Sequence, residues 1–376
     1  MARAPVAVEI EAPPEADRLE GFPHPRETRA LFGHEAAERT LAEALLSGRM
    51  HHAWLIVGPP GIGKATLAYR FARAALSEPG ERSAGSLSVP DESRGARQVR
   101  ALSHPGLLVI RRPWDDKAKR FAQSIPVDEV RKLRAFLSHS AAEGAWRVVI
   151  VDEASELNVN AANALLKSLE EPPPRTVFLL VASAPGRLLP TIRSRCRTLS
   201  LQTLASEALR AAATQALAAV EEDAPGGADW EKLERLSEGS VSRLLGLWHS
   251  GGLELYERIA ALVASLPRVD WRAVHALSDE LQPAAAQPRF ELFFELLLNV
   301  LTRLIRAQAS EEGGADEREL SRRLIGEERL ASFAGLWERI GRLKAETLAL
   351  NLDRKALVLE TIGALAAAAE DRKPAK

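Results

Sequence analysis

The sequence has few of the features that mark secreted, metal-rich or membrane proteins. It contains one cysteine, Cys196, among 376 residues, which excludes an internal disulfide and any cysteine-based zinc site within the chain. That usage predicts a reducing, cytoplasmic location. No apolar run approaches the roughly 18 residues that span a membrane. The first residues are rich in Pro and Glu and lack the apolar stretch of a secretory signal, so we expect no membrane partner.

An excess of either charge is missing as well. There are 50 Lys and Arg against 51 Asp and Glu, for a net charge of −1, so the chain as a whole does not resemble a nucleic-acid-binding protein. Contact with DNA has to come from a local patch or from partner chains. The apolar fraction of 46% and the charged fraction of 27% are typical of globular proteins, and the length predicts two or three domains.

Strand and helix patterns alternate through the first half of the chain. Short apolar runs occur at residues 53–57, 107–111, 147–151 and 176–182, and helical periodicity occurs at residues 35–48, 64–76, 127–139 and 158–169. This alternation predicts an α/β core whose parallel sheet is covered on both faces. After Leu201 only helical patterns recur.

A glycine-rich loop follows the first apolar run. Residues 58–64 read GPPGIGK, which matches the G-x-x-x-x-G-K spacing of a phosphate-binding loop. The glycines let backbone N–H groups point at phosphate oxygens, the next helix offers its N-terminal dipole, and the lysine supplies positive charge. We expect the loop to bind ATP or ADP through Gly58, Pro59, Gly61, Ile62, Gly63, Lys64, Ala65 and Thr66.

The residue after Lys64 departs from this motif. A Ser or Thr normally stands there, and its hydroxyl binds magnesium, but this chain has Ala65. Thr66 comes next, yet one residue turns about 100° around a helix, so its hydroxyl should point away from the metal. We therefore expect poor magnesium binding and no dedicated metal site.

Two carboxylates end the apolar run at residues 147–151. In phosphate-loop proteins an Asp at this point, here Asp152, holds magnesium. The following Glu, here Glu153, can orient or deprotonate an attacking water. Both residues are therefore candidate catalytic groups on the same sheet as the loop.

Three further segments resemble one protein family. HHAWL at residues 51–55 leads into the loop, NALLKSLEEPP at residues 163–173 follows the acidic pair, and SRC at residues 194–196 closes the core. Together they resemble bacterial clamp-loader subunits of the AAA+ class. The prolines at positions 13, 14, 23 and 25 predict an unstructured arm at 1–26, and the Ser/Gly/Pro/Arg-rich residues 77–104 predict a surface insertion. With these patterns the resemblance implies an AAA+ core at 27–202, a helical lid at 203–250 and an all-α collar at 251–376.

Two branches of that family compete, the ATP-hydrolysing gamma/tau subunit and the delta-prime subunit. Ala65 favours delta-prime, because a motor subunit needs the magnesium-binding hydroxyl. The ending NLDRKAL at residues 351–357, which enters a final apolar helix, also resembles the delta-prime collar. Both branches commonly carry a four-cysteine zinc module where residues 77–104 stand, but that segment has no cysteine, so we expect no zinc.

The resemblance also implies roles for single residues. Arg195 of the SRC segment would act as an arginine finger, reaching the γ-phosphate of ATP on a neighbouring subunit. Arg243 stands where the lid arginine senses nucleotide in its own chain, although Ser240 equally indicates a capped helix start. Ser183 is either a polar group near the γ-phosphate or a simple loop hydroxyl.

A delta-prime-like subunit would join gamma/tau and delta subunits in a heteropentamer through its collar. The complex would load the sliding clamp onto primed DNA, and this chain's own ATPase would be weak or absent. Two alternatives stay open. One is a gamma/tau-like motor ATPase that uses Lys64, Asp152 and Glu153. The other is an unrelated phosphate-loop enzyme such as a small-molecule kinase, against which the SRC segment and the helical C-terminal third argue.

Overall fold

The computed structural model describes residues 14–83, 85–138, 145–310 and 313–370. The chain divides into two compact units between Gly246 and Leu247. None of the described helices is long and apolar enough to cross a membrane.

The strands of the described chain all lie in the N-terminal unit. They are β1 (Ala53–Val57), β2 (Leu107–Ile110), β3 (Trp114–Asp115), β4 (Arg120–Phe121), β5 (Arg147–Val151), β6 (Thr176–Ala182) and β7 (Arg197–Ser200). Five of them form a parallel sheet in the order β2-β5-β6-β1-β7, and β3 and β4 form an antiparallel hairpin. Because the sheet is parallel, the C-terminal ends of β1, β5 and β6 meet at one edge, which we call the loop edge.

Helices cover both faces of this sheet. Those of the N-terminal unit are α1 (Glu35–Leu46), α2 (Lys64–Leu76), α3 (Arg94–Arg100), α4 (Val127–Ser138), α5 (Val159–Glu170), α6 (Pro190–Arg193), α7 (Ser206–Ala218) and α8 (Gly227–Ser237), and α9 (Val241–His249) begins there. Successive strand residues point to opposite faces. Trp54 and Ile56 of β1 accordingly pack in the apolar layer of α1 and α2, and Leu55 packs in that of α4 and α5. The predicted α/β core is confirmed.

Residues 14–26 are not the loose arm that the prolines predict. Residues 1–13 lie outside the described residues, but Phe22 and His24 are fully buried. Arg26 donates a hydrogen bond to the Arg100 carbonyl oxygen at 2.8 Å. The segment packs because its charged groups find partners within the unit, and composition alone does not reveal such partners.

Residues 77–104 are likewise more than a surface insertion. They contain α3, and Leu87, Ala96 and Val99 are fully buried. The Ser93 hydroxyl caps α3 by accepting a hydrogen bond from the Ala96 N–H at 3.2 Å. The buried positions have no regular spacing, so a search for periodicity misses them.

The C-terminal unit is helical throughout its described residues, which confirms the predicted helix-rich C-terminal region. After α9 it contains α10 (Gly252–Ser265), α11 (Trp271–Leu281), α12 (Gln287–Ser310), α13 (Ala315–Leu324), α14 (Leu330–Leu350) and α15 (Arg354–Glu370). Helix α12 packs against α10, α13 and α14. Its three buried rings, Phe290, Phe293 and Phe294, make edge-to-face contacts with centroids 5.0 and 5.1 Å apart.

Candidate functional site

The glycine-rich loop connects β1 to α2, and two of its glycines leave no room for a side chain. A Cβ at Gly58 would lie 2.5 Å from the Leu201 carbonyl oxygen, and a Cβ at Gly61 would lie 1.9 Å from the Ser242 hydroxyl oxygen. Gly61 also has a φ of +74°, which L side chains rarely adopt. Close packing therefore requires glycine at both positions.

Backbone donors of this loop are available for an anion. The N–H groups of Gly61, Ile62 and Gly63 have no hydrogen-bond acceptor within the described part of the protein. They stand at the N-terminus of α2, where the helix dipole also favours negative charge. The loop therefore fits a phosphate group.

Lys64 is engaged by the protein itself. It is 5% exposed, and its ammonium donates to the carbonyl oxygens of Gly58 and Pro59 at 2.9 and 2.7 Å and to the Ser183 hydroxyl at 2.8 Å. These contacts use all three N–H donors of the ammonium. Burial lowers the pKa of Lys64, and the negative charges of Glu153 and Asp152 oppose that shift. A phosphate can bind this ammonium only in exchange for its present partners.

Glu153 accepts two hydrogen bonds from Ser183, the residue that also contacts Lys64. The Ser183 hydroxyl donates to Glu153 Oε2 at 2.7 Å, and the Ser183 N–H donates to Oε1 at 2.6 Å. One hydroxyl thus links Lys64 to Glu153 across the loop edge. The Ser183 hydroxyl therefore lies in a hydrogen-bonded link between two side chains and is not a simple loop hydroxyl.

Asp152 lies beside Glu153 and is almost sealed from solvent, at 8% exposed. Burial, followed by the negative charges of Asp17 and Glu153, raises its pKa to about 8. At neutral pH most of the carboxyl groups are therefore protonated, and a protonated carboxyl is a weak ligand for a hard cation.

Asp17 belongs to a group of charged and titratable side chains that the sequence patterns do not indicate. This N-terminal charge cluster consists of Glu15, Asp17, His24, Arg26 and Arg111. Asp17 lies 2.6 Å from the Arg111 guanidinium and 2.9 Å from the His24 ring, and Arg26 lies 2.7 Å from Glu15. The cluster brings the negative charge of Asp17 close enough to the loop edge to raise the pKa of Asp152.

Magnesium does not fit these residues. Ala65 has no hydroxyl where the motif places one, and Thr66 stands one residue further around α2. Burial favours the protonated form of Asp152.

The N-terminus of α9 binds the phosphate loop through the loop's carbonyl groups. The N–H groups of Val241 and Ser242 donate to the Gly61 carbonyl oxygen at 2.9 and 3.3 Å, and the Ser240 hydroxyl donates to the Pro60 carbonyl oxygen at 2.9 Å. The first N–H groups of a helix have no acceptor within it, so these bonds satisfy both partners. We call these five residues the loop latch.

Arg243 follows the latch by one residue. Its N–H donates to the Ser240 hydroxyl at 3.3 Å, and its guanidinium lies 3.5 Å from the Glu238 carboxylate. Ser240 therefore caps α9, as one interpretation predicts. The latch also holds the first turn of α9, with Arg243 in it, beside the loop.

Arg195 is not part of this arrangement. It stands between α6 and β7, and its side chain is 35% exposed. Its guanidinium donates from Nη1 to the Thr191 carbonyl oxygen at 2.9 Å and from Nη2 to Glu170 Oε1 at 2.6 Å. Of the three predicted catalytic residues, Asp152 and Glu153 thus lie at the loop edge with Lys64. Arg195 makes no contact with them and faces outward.

Sequence reasoning misses the latch and the charge cluster for the same reason. Ser240 reaches a carbonyl 180 positions earlier in the chain, and Arg111 reaches Asp17 across 94 positions. Neither contact leaves a local pattern. Glu170 does carry a signal, since it lies within the NALLKSLEEPP segment, but that segment does not show what the carboxylate binds.

The chain is similar to subunits of DNA polymerase III. A family model described as DNA polymerase III, delta subunit, matches residues 33–205. The DNA polymerase III subunit delta' of Pseudomonas aeruginosa is 40% identical over 153 residues, which are 40% of this chain and 44% of that relative. The chain thus spans less than half of that relative. The subunit delta' of Escherichia coli is 35% identical over 269 residues, which are 70% of this chain and 73% of that relative.

Solved structures also resemble the chain over most of its length, and one of them is related to a DNA polymerase III subunit. A DNA polymerase III gamma subunit-related protein from Thermotoga maritima is 18% identical, with a TM-score of 0.39, and the match covers 88% of this chain and 99% of that one.

Proposed function

The chain belongs to the DNA polymerase III delta-prime subunits, and from this membership we propose that it works within a clamp loader, the assembly that places the sliding clamp on primed DNA. In that assembly it supplies Arg195 to the ATP site of a neighbouring subunit. The observation that carries the proposal is a difference in exposure. The Arg195 side chain is 35% exposed, whereas Lys64 is 5% exposed, and a residue that serves another chain must be reachable from outside.

Arginine suits this role chemically. Its planar guanidinium spreads positive charge over several phosphate oxygens and keeps that charge at any physiological pH. Preorganised charge of this kind stabilises a transferring phosphoryl group, and arginine fingers contribute roughly 10³-fold or more in rate. The clamp loader would therefore lose most of its activity at that site without Arg195.

This chain's own loop supports binding without turnover. The free N–H groups of the loop fit a phosphate, and Lys64 would join them after exchanging its present partners, so the loop would hold ATP or ADP. Arg243, kept beside the loop by the latch, would contact the same nucleotide. Hydrolysis is disfavoured because Ala65 lacks the magnesium-binding hydroxyl and burial favours the protonated form of Asp152.

The C-terminal unit is where we place the contacts with other subunits. It exposes large apolar side chains that a folded chain normally buries, namely Trp271, Trp337, Leu350 and Leu352. We propose that the collar at residues 251–376 joins the gamma/tau and delta subunits. Sliding clamp and DNA are then met through the assembled complex, in the cytoplasm.

A gamma/tau-like motor ATPase is the alternative that one observation favours. Lys64, Ser183 and Glu153 form a continuous hydrogen-bonded link at the loop edge, as a catalytic site could. An ATPase assay of the purified chain separates the two. We expect background turnover that Lys64→Ala leaves unchanged, whereas robust turnover that Lys64→Ala abolishes would establish the motor.

The finger role is tested in the reconstituted clamp loader. We expect Arg195→Ala to lower the clamp-loading rate by roughly 10³-fold, while the complex still elutes as a stoichiometric assembly in gel filtration. An unchanged DNA-stimulated ATPase would remove the finger role. Failure of the wild-type chain to assemble with motor and delta subunits would count against the clamp-loader assignment as a whole.

A further inference from the structure

The guanidinium of Arg195 is held at the surface by two contacts from two different helices. Nη2 donates to Glu170 Oε1 at 2.6 Å, and Nη1 donates to the Thr191 carbonyl oxygen at 2.9 Å. Glu170 is the last residue of α5, and Thr191 lies in α6. Contacts from two directions fix the plane of the guanidinium as well as its position.

Both helices are anchored in the core, so these contacts have a rigid base. Leu165 and Leu169 of α5 and Ile192 of α6 are fully buried in the same apolar layer. The Arg195 N–H donates to the Ile192 carbonyl oxygen at 3.1 Å, which ties the backbone of the arginine to α6. Side chains placed on packed elements hold a functional geometry better than those on free loops.

Folding stability does not explain the Glu170 contact. The side chains of Arg195 and Glu170 are 35% and 49% exposed, and ion pairs in water contribute little to stability. The pair does, however, restrict a long side chain that would otherwise sample many rotamers.

The two contacts leave the guanidinium able to bind a phosphate. Arginine has five N–H donors, and Glu170 and Thr191 engage one on each terminal nitrogen. The N–H of Nε and the second N–H of each terminal nitrogen remain for another acceptor. Glu170 can therefore keep its hydrogen bond while Arg195 engages phosphate oxygens.

We propose that Glu170 is a positioning residue that orients the Arg195 guanidinium for the ATP site of the neighbouring subunit. This inference rests on the finger role proposed above. It gives the first glutamate of the SLEEPP segment a task that its neighbour Glu171 does not share. Glu171 is also exposed, but it has no hydrogen-bond or ion-pair partner among the described residues.

The test compares Glu170→Ala, Glu170→Gln and Glu171→Ala in the reconstituted clamp loader. For Glu170→Ala we expect kcat of the DNA-stimulated ATPase to fall by about 10- to 100-fold, since a misplacement of about 1 Å can cost about 100-fold, while KM for ATP stays unchanged. Glu170→Gln retains an acceptor oxygen and should recover part of kcat. Glu171→Ala should match the wild-type complex in both constants.

A double variant separates positioning from a general structural effect. In the Arg195→Ala background, Glu170→Ala should lower kcat no further, because its only target is gone. A wild-type or higher kcat for Glu170→Ala, or an equal loss in both backgrounds, would overturn the proposal. If Arg195→Ala itself leaves kcat unchanged, the finger role fails first. If Arg195→Ala lowers kcat but neither Glu170 variant does, only the positioning role fails.

Discussion

Lys64 and Arg195 are both cations of the kind that phosphate-loop proteins bring to a γ-phosphate, and this chain places them in opposite surroundings. The Lys64 ammonium is buried, and two backbone carbonyls and Ser183 take all of its donors. The Arg195 guanidinium is half-exposed and keeps free donors beside its contacts with Glu170 and Thr191. Only the second can engage a phosphate without first losing a partner.

This difference supports the proposal that the fold serves a neighbour's ATP chemistry while its own loop turns over little or no nucleotide. At the loop edge, internal hydrogen bonds, a missing hydroxyl at Ala65 and the raised pKa of Asp152 each oppose a metal–nucleotide complex. Just after α6, the same core holds Arg195 in place with its guanidinium facing solvent. Each of the following changes acts on one side of this comparison.

The largest effect is expected from Arg195→Lys. Lysine keeps the positive charge but loses the planar fork, so it can neither hold both Glu170 and Thr191 nor span two phosphate oxygens. We expect the clamp-loading rate of the reconstituted complex to fall roughly 10³-fold, or about 4 kcal/mol in the activation free energy. A lysine variant that retains wild-type rates would show that charge alone suffices and that the geometry around Arg195 is irrelevant.

The next effect concerns the loop latch. In Gly61→Ala the new methyl group would collide with Ser242 and would force alanine to a φ of +74°. We expect a loss of about 3 kcal/mol in the free energy of unfolding, measured by urea denaturation.

Gly48→Ala is the matched control for Gly61→Ala. Gly48 has a φ of +69°, and a Cβ there would meet no atom within 4 Å. The free energy of unfolding of Gly48→Ala should therefore fall only by the cost of the backbone strain, about 1 kcal/mol. Equal losses for both variants would mean that the latch does not hold the loop.

Asp152→Asn should stabilise the protein in a pH-dependent way. The pKa of Asp152 rises from 3.8 in the unfolded chain to about 8 in the fold, so the folded state binds more protons between these values and stability falls as pH rises through that range. Asparagine removes this penalty. We expect a gain of at most about 5 kcal/mol at pH 8 and less than about 1 kcal/mol at pH 4.

The control for that series is Asp128→Asn, which changes an exposed carboxylate on α4. Its ion pair with Arg131 lies in solvent, so the substitution should change the free energy of unfolding by less than about 0.5 kcal/mol at both pH 4 and pH 8. An Asp152→Asn gain that is the same at pH 4 and pH 8 would contradict a proton on Asp152.

Local patterns predict the central strands, the loop and α2 because each depends on neighbours in sequence. The apolar run at residues 53–57 and the start of α2 at Lys64 coincide with the observed bounds. Strand β7 is missed because it lies at the sheet edge and its residues RTLS are mostly exposed, so it lacks the apolar run of a buried strand.

The chemistry of the site is likewise predictable only where it depends on a single position or on neighbours in sequence. Ala65 alone indicates the missing magnesium-binding hydroxyl, because the motif assigns one atom to that position. The engagement of Lys64 depends on Ser183, 119 positions later, and the pKa of Asp152 depends on burial and on Asp17. Such effects come from the folded arrangement and have no counterpart in spacing or composition.

The smallest effect, and the most direct measure of how firmly the loop edge is closed, is expected from Ser183→Ala. Without the hydroxyl, Lys64 loses one acceptor and Glu153 Oε2 loses its donor, both in a partly buried setting. We expect a loss of about 1 kcal/mol in the free energy of unfolding.

Ser265→Ala provides the comparison for Ser183→Ala, because it removes an exposed hydroxyl that bonds only the Leu262 carbonyl oxygen and should change stability by less than about 0.5 kcal/mol. If Ser183→Ala costs no more than this control, the Lys64 ammonium is not held by its present partners. The contrast with Arg195 would then lie in exposure alone, because both cations would be free to engage a phosphate.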